Sequence, residues 1–257
     1  MSETTTLQGI TAIIDADSIP FIAASRGVAS VDWLIDKIIK DTGCEGMILV
    51  ISSVKNERKD VCSEYKANRT SNRHEIEGYD ECLEYLLTKH SPIWIEGKEA
   101  DDVCCILHRM IDNSILVSID KDLLQSPGLH YNYRTFTKTI VAEKGEIYEI
   151  NGKIVATGPY RLYLQMIQGD SSDNIKGIKG MGPIKAYKLI KDCETTQELI
   201  SVTWNAYLDA YKDTTIAATE FEKTLRLVYM PKKSSRVQNV IPMRVIIHEN
   251  KDIQLPF

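Results

Sequence analysis

No apolar run in this 257-residue chain approaches the length needed to cross a membrane, and its start, MSETTTLQGI, lacks the basic stretch and apolar core of a secretory leader. Both absences make the cytoplasm the expected compartment and exclude a membrane partner. The six cysteines (Cys44, Cys62, Cys82, Cys104, Cys105 and Cys193) form no CxxC pair and no zinc-finger spacing, which argues against a disulfide framework or a finger. Cys104 and Cys105 fall in an apolar helical pattern and read as reduced core residues. Repeats, low-complexity tracts and long flexible linkers are missing as well. So is an excess of positive charge: 31 Lys and Arg against 36 Asp and Glu leave a net charge of -5. That balance does not favour a polyanionic partner, but carboxylates concentrated around metals make a chain acidic overall, so local patches decide. What is present is length for one or two domains with a sizeable core, at 43% hydrophobic and 26% charged residues.

Alternating β and α patterns fill the first part of the chain. Residues 10–15 (ITAIID), 47–51 (MILVI), 93–95 and 115–119 (ILVSI) read as strands, with helical spacing at 31–40, 76–89 and 99–111. This order predicts a mainly parallel central sheet flanked by helices, an α/β fold. Acids follow the strands: Asp15 and Asp17 after the first, Glu99, Asp101 and Asp102 after the third, Asp120 and Asp122 after the fourth. In open α/β sheets functional groups gather beyond the carboxyl ends of strands. One acid at a helix start is explained by the helix dipole; the whole set is not. So many carboxylates around one cleft would repel and take up protons unless cations intervene. Oxygen donors without His or Cys point to Mg²⁺ or Mn²⁺. Short β segments follow over 129–155, with Asn151-Gly152 as a hairpin turn. From residue 160 the chain reads as helical, including 183–191, 196–211 and 216–230. The tail from Pro231, ending in LPF, reads as partly extended, its terminal Phe257 a docking tag or a disordered end.

Two further segments carry charge. Residues 55–74 hold six Lys and Arg against three acids, either a solvated loop or a grip on a polyanion. Residues 168–190, QGDSSDNIKGIKGMGPIKAYKLI, join Asp170 and Asp173 to Gly177, Gly180 and Gly182 and then to a helix with Pro183 in its first turn. Lys176, Lys179, Lys185, Lys188 and Lys191 give 174–191 five positive charges and no acid. Closely spaced glycines let backbone N–H groups approach a phosphate, with a helix N-terminus behind them. A plain helix–turn–helix linker with a lysine face is the other reading.

The GDSSDNIKGIKGMGPIKA run resembles the helix–hairpin–helix of the 5′-3′ exonuclease and flap endonuclease family, found in phages and in the N-terminal part of bacterial DNA polymerase I, whose consensus is similar to GDxSDNIxGxxGxGxxxA. GKEADD and SIDKDLLQ are similar to that family's GxEADD and STDKDLLQ, and EYKANR resembles its arch. Together the blocks run from Asp15 to about Lys191. The resemblance implies a PIN-like nuclease core over residues 1–158, with the arch at about 55–74, and a helical DNA-binding part over 159–257. It implies hydrolysis of phosphodiesters at 5′ ends of DNA, flaps or RNA–DNA hybrids by a monomeric, free-standing enzyme of phage type. It further implies two divalent ions on Asp15, Glu99, Asp101, Asp102, Asp120, Asp122, Asp170 and Asp173, and a monovalent cation, K⁺, at the hairpin turn. By the same resemblance Tyr65 stacks on a base, Lys66, Arg69 and Arg73 meet phosphates, and Lys66 steadies charge on the scissile group. Gly177, Gly180, Gly182, Lys179 and Lys185 would hold the duplex.

Two positions depart from the family. Its second strand ends in an aspartate within FDxxxxxFR, where this chain has Ser52 or Ser53; Asp17 is a candidate substitute. Gln165 stands where a lysine precedes the GD aspartate by five residues. A junction-binding module with a weakened catalytic site, favoured by Ser52, and a single-strand RNase with a related acidic core stay open beside the nuclease reading.

Overall fold

The computed structural model describes residues 9–69, 75–231 and the backbone of 246–247. Arg73, the arch residues 70–74, and the LPF tail lie outside the described residues. The strand β1 (Thr11–Asp15) is buried along its whole length, as a strand covered on both faces must be. It pairs in parallel with β2 (Gly46–Val50) on one side and β3 (Ser114–Val117) on the other. Next to β3 lies β4 (Gly128–Asn132), also parallel, and β5 (Thr137–Val141) closes that edge antiparallel. At the opposite edge a two-residue strand, Ile246–Ile247, pairs antiparallel with β2 and completes the order of six strands. The chain therefore reverses direction of build-up between β1 and β3. Open sheets form their ligand crevices at such a switch point.

Odd and even residues of β1 serve different cores. Ala12 and Ile14 face α1 (Ile19–Ala23), α2 (Ala29–Thr42) and α4 (Tyr79–His90), packing with Val31, Leu34, Ile35, Ile38, Cys82 and Leu86. Ile13 faces α5 (Ala100–Met110) with Val103, Cys104, Ile106 and Leu107. Apolar positions 31, 34, 35 and 38 explain α2, and Gly43, at φ +68°, ends it. A short helix α3 (Glu57–Val61) follows β2. The expected strand at 93–95 is a single bridge from Ile93 to Val50: Pro92 offers no N–H, and the turn at Gly97 (φ +81°) leaves too few residues to extend a ladder. The helix expected from 76 starts at Tyr79, because Gly78 (φ +79°) breaks it against the Ala24 carbonyl.

A ribbon of β6 (Ile147–Ile150) and β7 (Lys153–Ala156) turns at Asn151 and Gly152, both at positive φ, as an Asn-Gly hairpin requires. Beyond it, α6 (Gly158–Gln168), α7 (Pro183–Ile190), α8 (Thr196–Tyr211) and α9 (Thr214–Val228) surround a third core. Thr195 and Glu198 form a capping box on α8, and Asp213 caps α9. Between α6 and α7 the pairs β8 (Gly169–Asp170) and β9 (Ile175–Lys176) make a small hairpin that the sequence pattern does not announce. All six cysteines are free thiols. No helix among the described residues is long and apolar enough to cross a membrane.

Candidate active site

The acids converge on the carboxyl ends of β1 and β3. Asp15, the last residue of β1, is 7% exposed. Its carboxylate accepts from the Ser118 hydroxyl at 2.8 Å and the Asp17 amide at 3.3 Å. Burial, then the negative charges of Asp17 and Asp120, push its pKa up to about 7. Asp120 opens to solvent and accepts from the Asp122 amide at 2.8 Å as cap of a 3-10 turn. Desolvation within the cleft, then the Asp122 carboxylate, raise its pKa. Asp17 reaches across to the end of β2, where Ser52 gives it both its amide, at 2.8 Å, and its hydroxyl, at 2.5 Å.

A second group of acids faces cations of the same chain. Glu99, at the N-cap of α5, accepts from Arg58, Lys66 and the Tyr65 hydroxyl. Arg58 also donates to Asp102 at 2.6 Å and lies 3.7 Å from Asp101. Arg161 pairs with Asp122, and Arg69 with Asp173. Burial alone would raise the Glu99 pKa, but Lys66 and Arg58 hold it below the usual carboxylate value. For Asp101 and Asp102 burial wins, and both stay raised despite Arg58. Divalent ions are therefore not the sole relief for this crowd of charge. Arg58, 6% exposed, and Arg161, 7%, supply part of it from within.

The base of the arch is fastened to the GDSSDN turn. The Lys66 amide donates to the Asp173 carbonyl at 2.8 Å, the Asn174 side chain to the Glu64 carbonyl at 2.8 Å, and the Asn68 side chain to the Ser171 carbonyl at 2.7 Å. Lys66 takes a left-handed φ of +57° at this junction. The arrangement corrects the reading of Tyr65 as a base-stacking ring. Its ring is 2% exposed within the helical core, and its hydroxyl donates to Glu99 and Asp173. Lys66 and Arg69, expected on phosphates, are engaged with carboxylates here.

The three glycines of the turn divide by what surrounds them. A Cβ on Gly177 would lie 2.2 Å from the backbone of Gln168 and Gly169, so this glycine serves the chain's own packing and not a ligand. Around Gly180 (φ +78°) and Gly182, a Cβ would meet nothing within 4 Å. Those two leave open the approach to the N-terminus of α7, for which Pro183 needs no donor. Lys179 and Lys185 are exposed beside it, and Lys185 also donates to the Gly180 carbonyl at 2.9 Å. Asp170 accepts from the Ser172 amide and hydroxyl and from Gln165 at 3.2 Å, which outweigh its burial and lower its pKa. Gln165 is thus a neutral donor to Asp170.

Sequence reasoning gave no role to Arg58, Arg161 or Ser118. Arg58 stands out only as one member of a basic run; Arg161, the one charged residue in the largely apolar α6 (GPYRLYLQMIQ), is the available signal. The donor set fits a hard divalent cation by its chemistry: carboxylate oxygens only, with Asp17 and Asp120 each near enough to Asp15 to raise its pKa and no lysine or arginine bonded to any of the three among the described residues. As they stand, no three Asp, Glu, His or Cys side chains among the described residues are grouped closely enough to hold a metal ion.

No family model matches the chain. It is 32% identical over 189 residues to the DNA polymerase I of Rhizobium leguminosarum, covering 68% of this chain and 18% of that protein. It is 31% identical over 168 residues to a 5′-3′ exonuclease of Bacillus subtilis, covering 57% of this chain and 51% of that one. The chain thus spans about half the length of this exonuclease and under a fifth of the polymerase. In fold it is similar to a bacteriophage T5 protein co-crystallised with metal ions, with a TM-score of 0.64 at 22% identity over 86% of this chain and 89% of that one. A T5 5′-exonuclease mutant superposes with a TM-score of 0.61 at 20% identity, over 87% and 89%. At such identities the likeness is one of fold.

Proposed function

Because the chain belongs to the 5′ nuclease family, we propose that it is a divalent-metal-dependent phosphodiesterase acting at 5′ ends, flaps or junctions of DNA. The observation that carries this reading is the pair of carboxylates, Asp15 and Asp120, at the carboxyl ends of adjacent parallel strands at the switch point of the sheet, bonded to no basic side chain among the described residues. Asp15, Asp17 and Asp120 would hold the first ion; Glu99, Asp101, Asp102, Asp122, Asp170 and Asp173 line the rest of the cleft. When bound, a divalent cation supplies Lewis acidity toward water and the phosphate oxygens.

The chain's own residues do the rest. Gly180, Gly182 and the first turn of α7 take the duplex backbone, with Lys179 and Lys185 adding charge; a monovalent cation such as K⁺ at the turn belongs to the same proposal. Contacts of this kind position DNA without reading its sequence. Lys66 and Arg69 hold Glu99 and Asp173 while no phosphate is present, and an arriving phosphate competes for their protons. Residues 1–158 act as the catalytic part and 159–257 as the part that grips the duplex.

A second reading, a junction-binding module without hydrolysis, is favoured by the arginines and lysines that already occupy Glu99, Asp102, Asp122 and Asp173. A labelled panel of 5′ flap, nicked duplex and RNA–DNA hybrid, incubated with Mg²⁺ or with chelator, separates the two. Cleavage from the 5′ side in Mg²⁺ alone is expected. Tight junction binding with every substrate left intact would establish the binding module instead.

A further inference from the structure

Resting on the nuclease reading, we infer that Asp17 is a metal-facing carboxylate that this chain holds in place from the end of β2 through Ser52. The two residues are 35 positions apart and sit on the turns that leave two adjacent parallel strands. Ser52 donates its amide to one carboxylate oxygen of Asp17 and its hydroxyl to the other. The hydroxyl has a single proton, and its direction is settled by a third contact: the Ala100 amide, in the first turn of α5, donates to the same oxygen at 2.9 Å. An ionised Asp17 can only accept, so the hydroxyl gives its proton to Asp17 while a lone pair takes the Ala100 amide. The carboxylate is thus clamped in one orientation between the ends of β1, β2 and α5.

An ordinary turn cap would accept local amides. Asp17 instead accepts from a distant strand, and its own amide turns toward Asp15. The outcome is a pair of fixed carboxylates at the strand ends, with a serine supplying donors where an acid would have supplied charge. Ser52 is a positioning residue in this scheme and touches no ion.

Mn²⁺ binding to the full chain without DNA, read by electron paramagnetic resonance, tests the assignment independently of turnover. Asp17→Asn removes the charge at constant size and is expected to weaken Mn²⁺ binding on the order of tenfold or more, and Ser52→Ala to weaken it by a smaller factor, as loss of an orienting partner does. The exchanged variant Asp17→Ser/Ser52→Asp returns the carboxylate to the neighbouring strand and is expected to regain Mn²⁺ affinity to within a few-fold of the parent. That variant carries the test should Asp17→Asn fail to fold. Parent-like Mn²⁺ binding by Asp17→Asn, or an exchanged variant that folds and binds none, overturns the role of Asp17 while the nuclease reading stands. A parent chain that binds no Mn²⁺ overturns the nuclease reading and this inference together.

Discussion

Two groups of acids share one cleft and are treated in opposite ways. Glu99, Asp102, Asp122 and Asp173 each meet an arginine or lysine. Asp15, Asp17 and Asp120 meet serines, backbone amides and one another. Burial does not by itself decide the treatment: Asp15 and Asp102 are both 7% exposed yet fall in different groups, while Asp120 is exposed. The difference is what the neighbouring segments carry: α3, the arch base and α6 bring cations to one group, while the turns after β1, β2 and β3 bring hydroxyls and amides to the other. A carboxylate faced by arginine is satisfied in the free protein. One faced by another carboxylate is satisfied only by a proton or an added cation.

The sharpest way to break this comparison is to neutralise one acid without a cation. Asp120→Asn or Asp15→Asn is expected to lower single-turnover cleavage by about a thousandfold or more, roughly 4 kcal/mol in barrier, while leaving junction affinity within a few-fold. Near-parental turnover in both would end the view that the unpaired group does the chemistry.

Removing a cation from the paired group should instead strike the fold. Arg58→Ala strips Glu99 and Asp102 of a buried partner, and urea unfolding is expected to show a loss of about 3–5 kcal/mol. A loss under about 1 kcal/mol would mean that the pairing is incidental.

Smaller effects are expected at the turn, where the same contrast between holding the chain and holding a ligand recurs. Gly177→Ala drives a Cβ into backbone at 2.2 Å and should cost about 1–3 kcal/mol of stability. Gly182→Val meets open space, so its stability should stay within about 0.5 kcal/mol. Its duplex affinity should fall several-fold across unrelated sequences. Equal stability losses in the two variants would remove the distinction drawn between these glycines.

The mildest expected effect is one of pH on the metal-free protein. The Asp15 pKa is raised from 3.8 to about 7, so between those values the folded state binds a proton that the unfolded chain has lost. Stability from this group is full below about pH 4 and declines as pH rises through 7. His108 works the other way, with burial, then His130, lowering its pKa from 6.5 to about 4, so its share is lost as pH falls through that window. Comparison with Asp15→Asn isolates the first: the variant should be the more stable at pH 8 by at least about 1 kcal/mol, with the gap closing toward pH 4. A gap that does not change with pH would contradict the raised pKa.

How far the sequence discloses all this depends on the range of the interaction. Apolar runs and helical spacing disclose β1, β2, β3, α2, α5 and α7–α9, because burial periodicity is local. The acids are conspicuous for the same reason, each following a strand. Their partners are not. Arg58 sits 41 residues from Glu99, and Tyr65 sits 108 from Asp173, and nothing near either residue announces the contact. Tyr65 looks like an exposed aromatic in a charged run, yet it is buried because the third core reaches under the arch. Gly177 and Gly180 stand three residues apart in one motif, and it is the packing of the α6 C-terminus against Gly177, with the left-handed φ of Gly180, that separates them.

The seam between residues 64–69 and 171–174 also bears on the order in which the chain becomes competent. Closing a loop of more than a hundred residues carries an entropy cost that local helices and hairpins do not bear. During synthesis Asp15, Glu99 and Asp120, with strands β1 to β5, emerge well before Asp173, the partner of Tyr65 and Arg69. The arch base acquires its final position only when the GDSSDN turn arrives. A half-made chain thus has the sheet's carboxylates but no seated arch. The cleft becomes whole only once the GDSSDN turn and the glycines that follow it have been made.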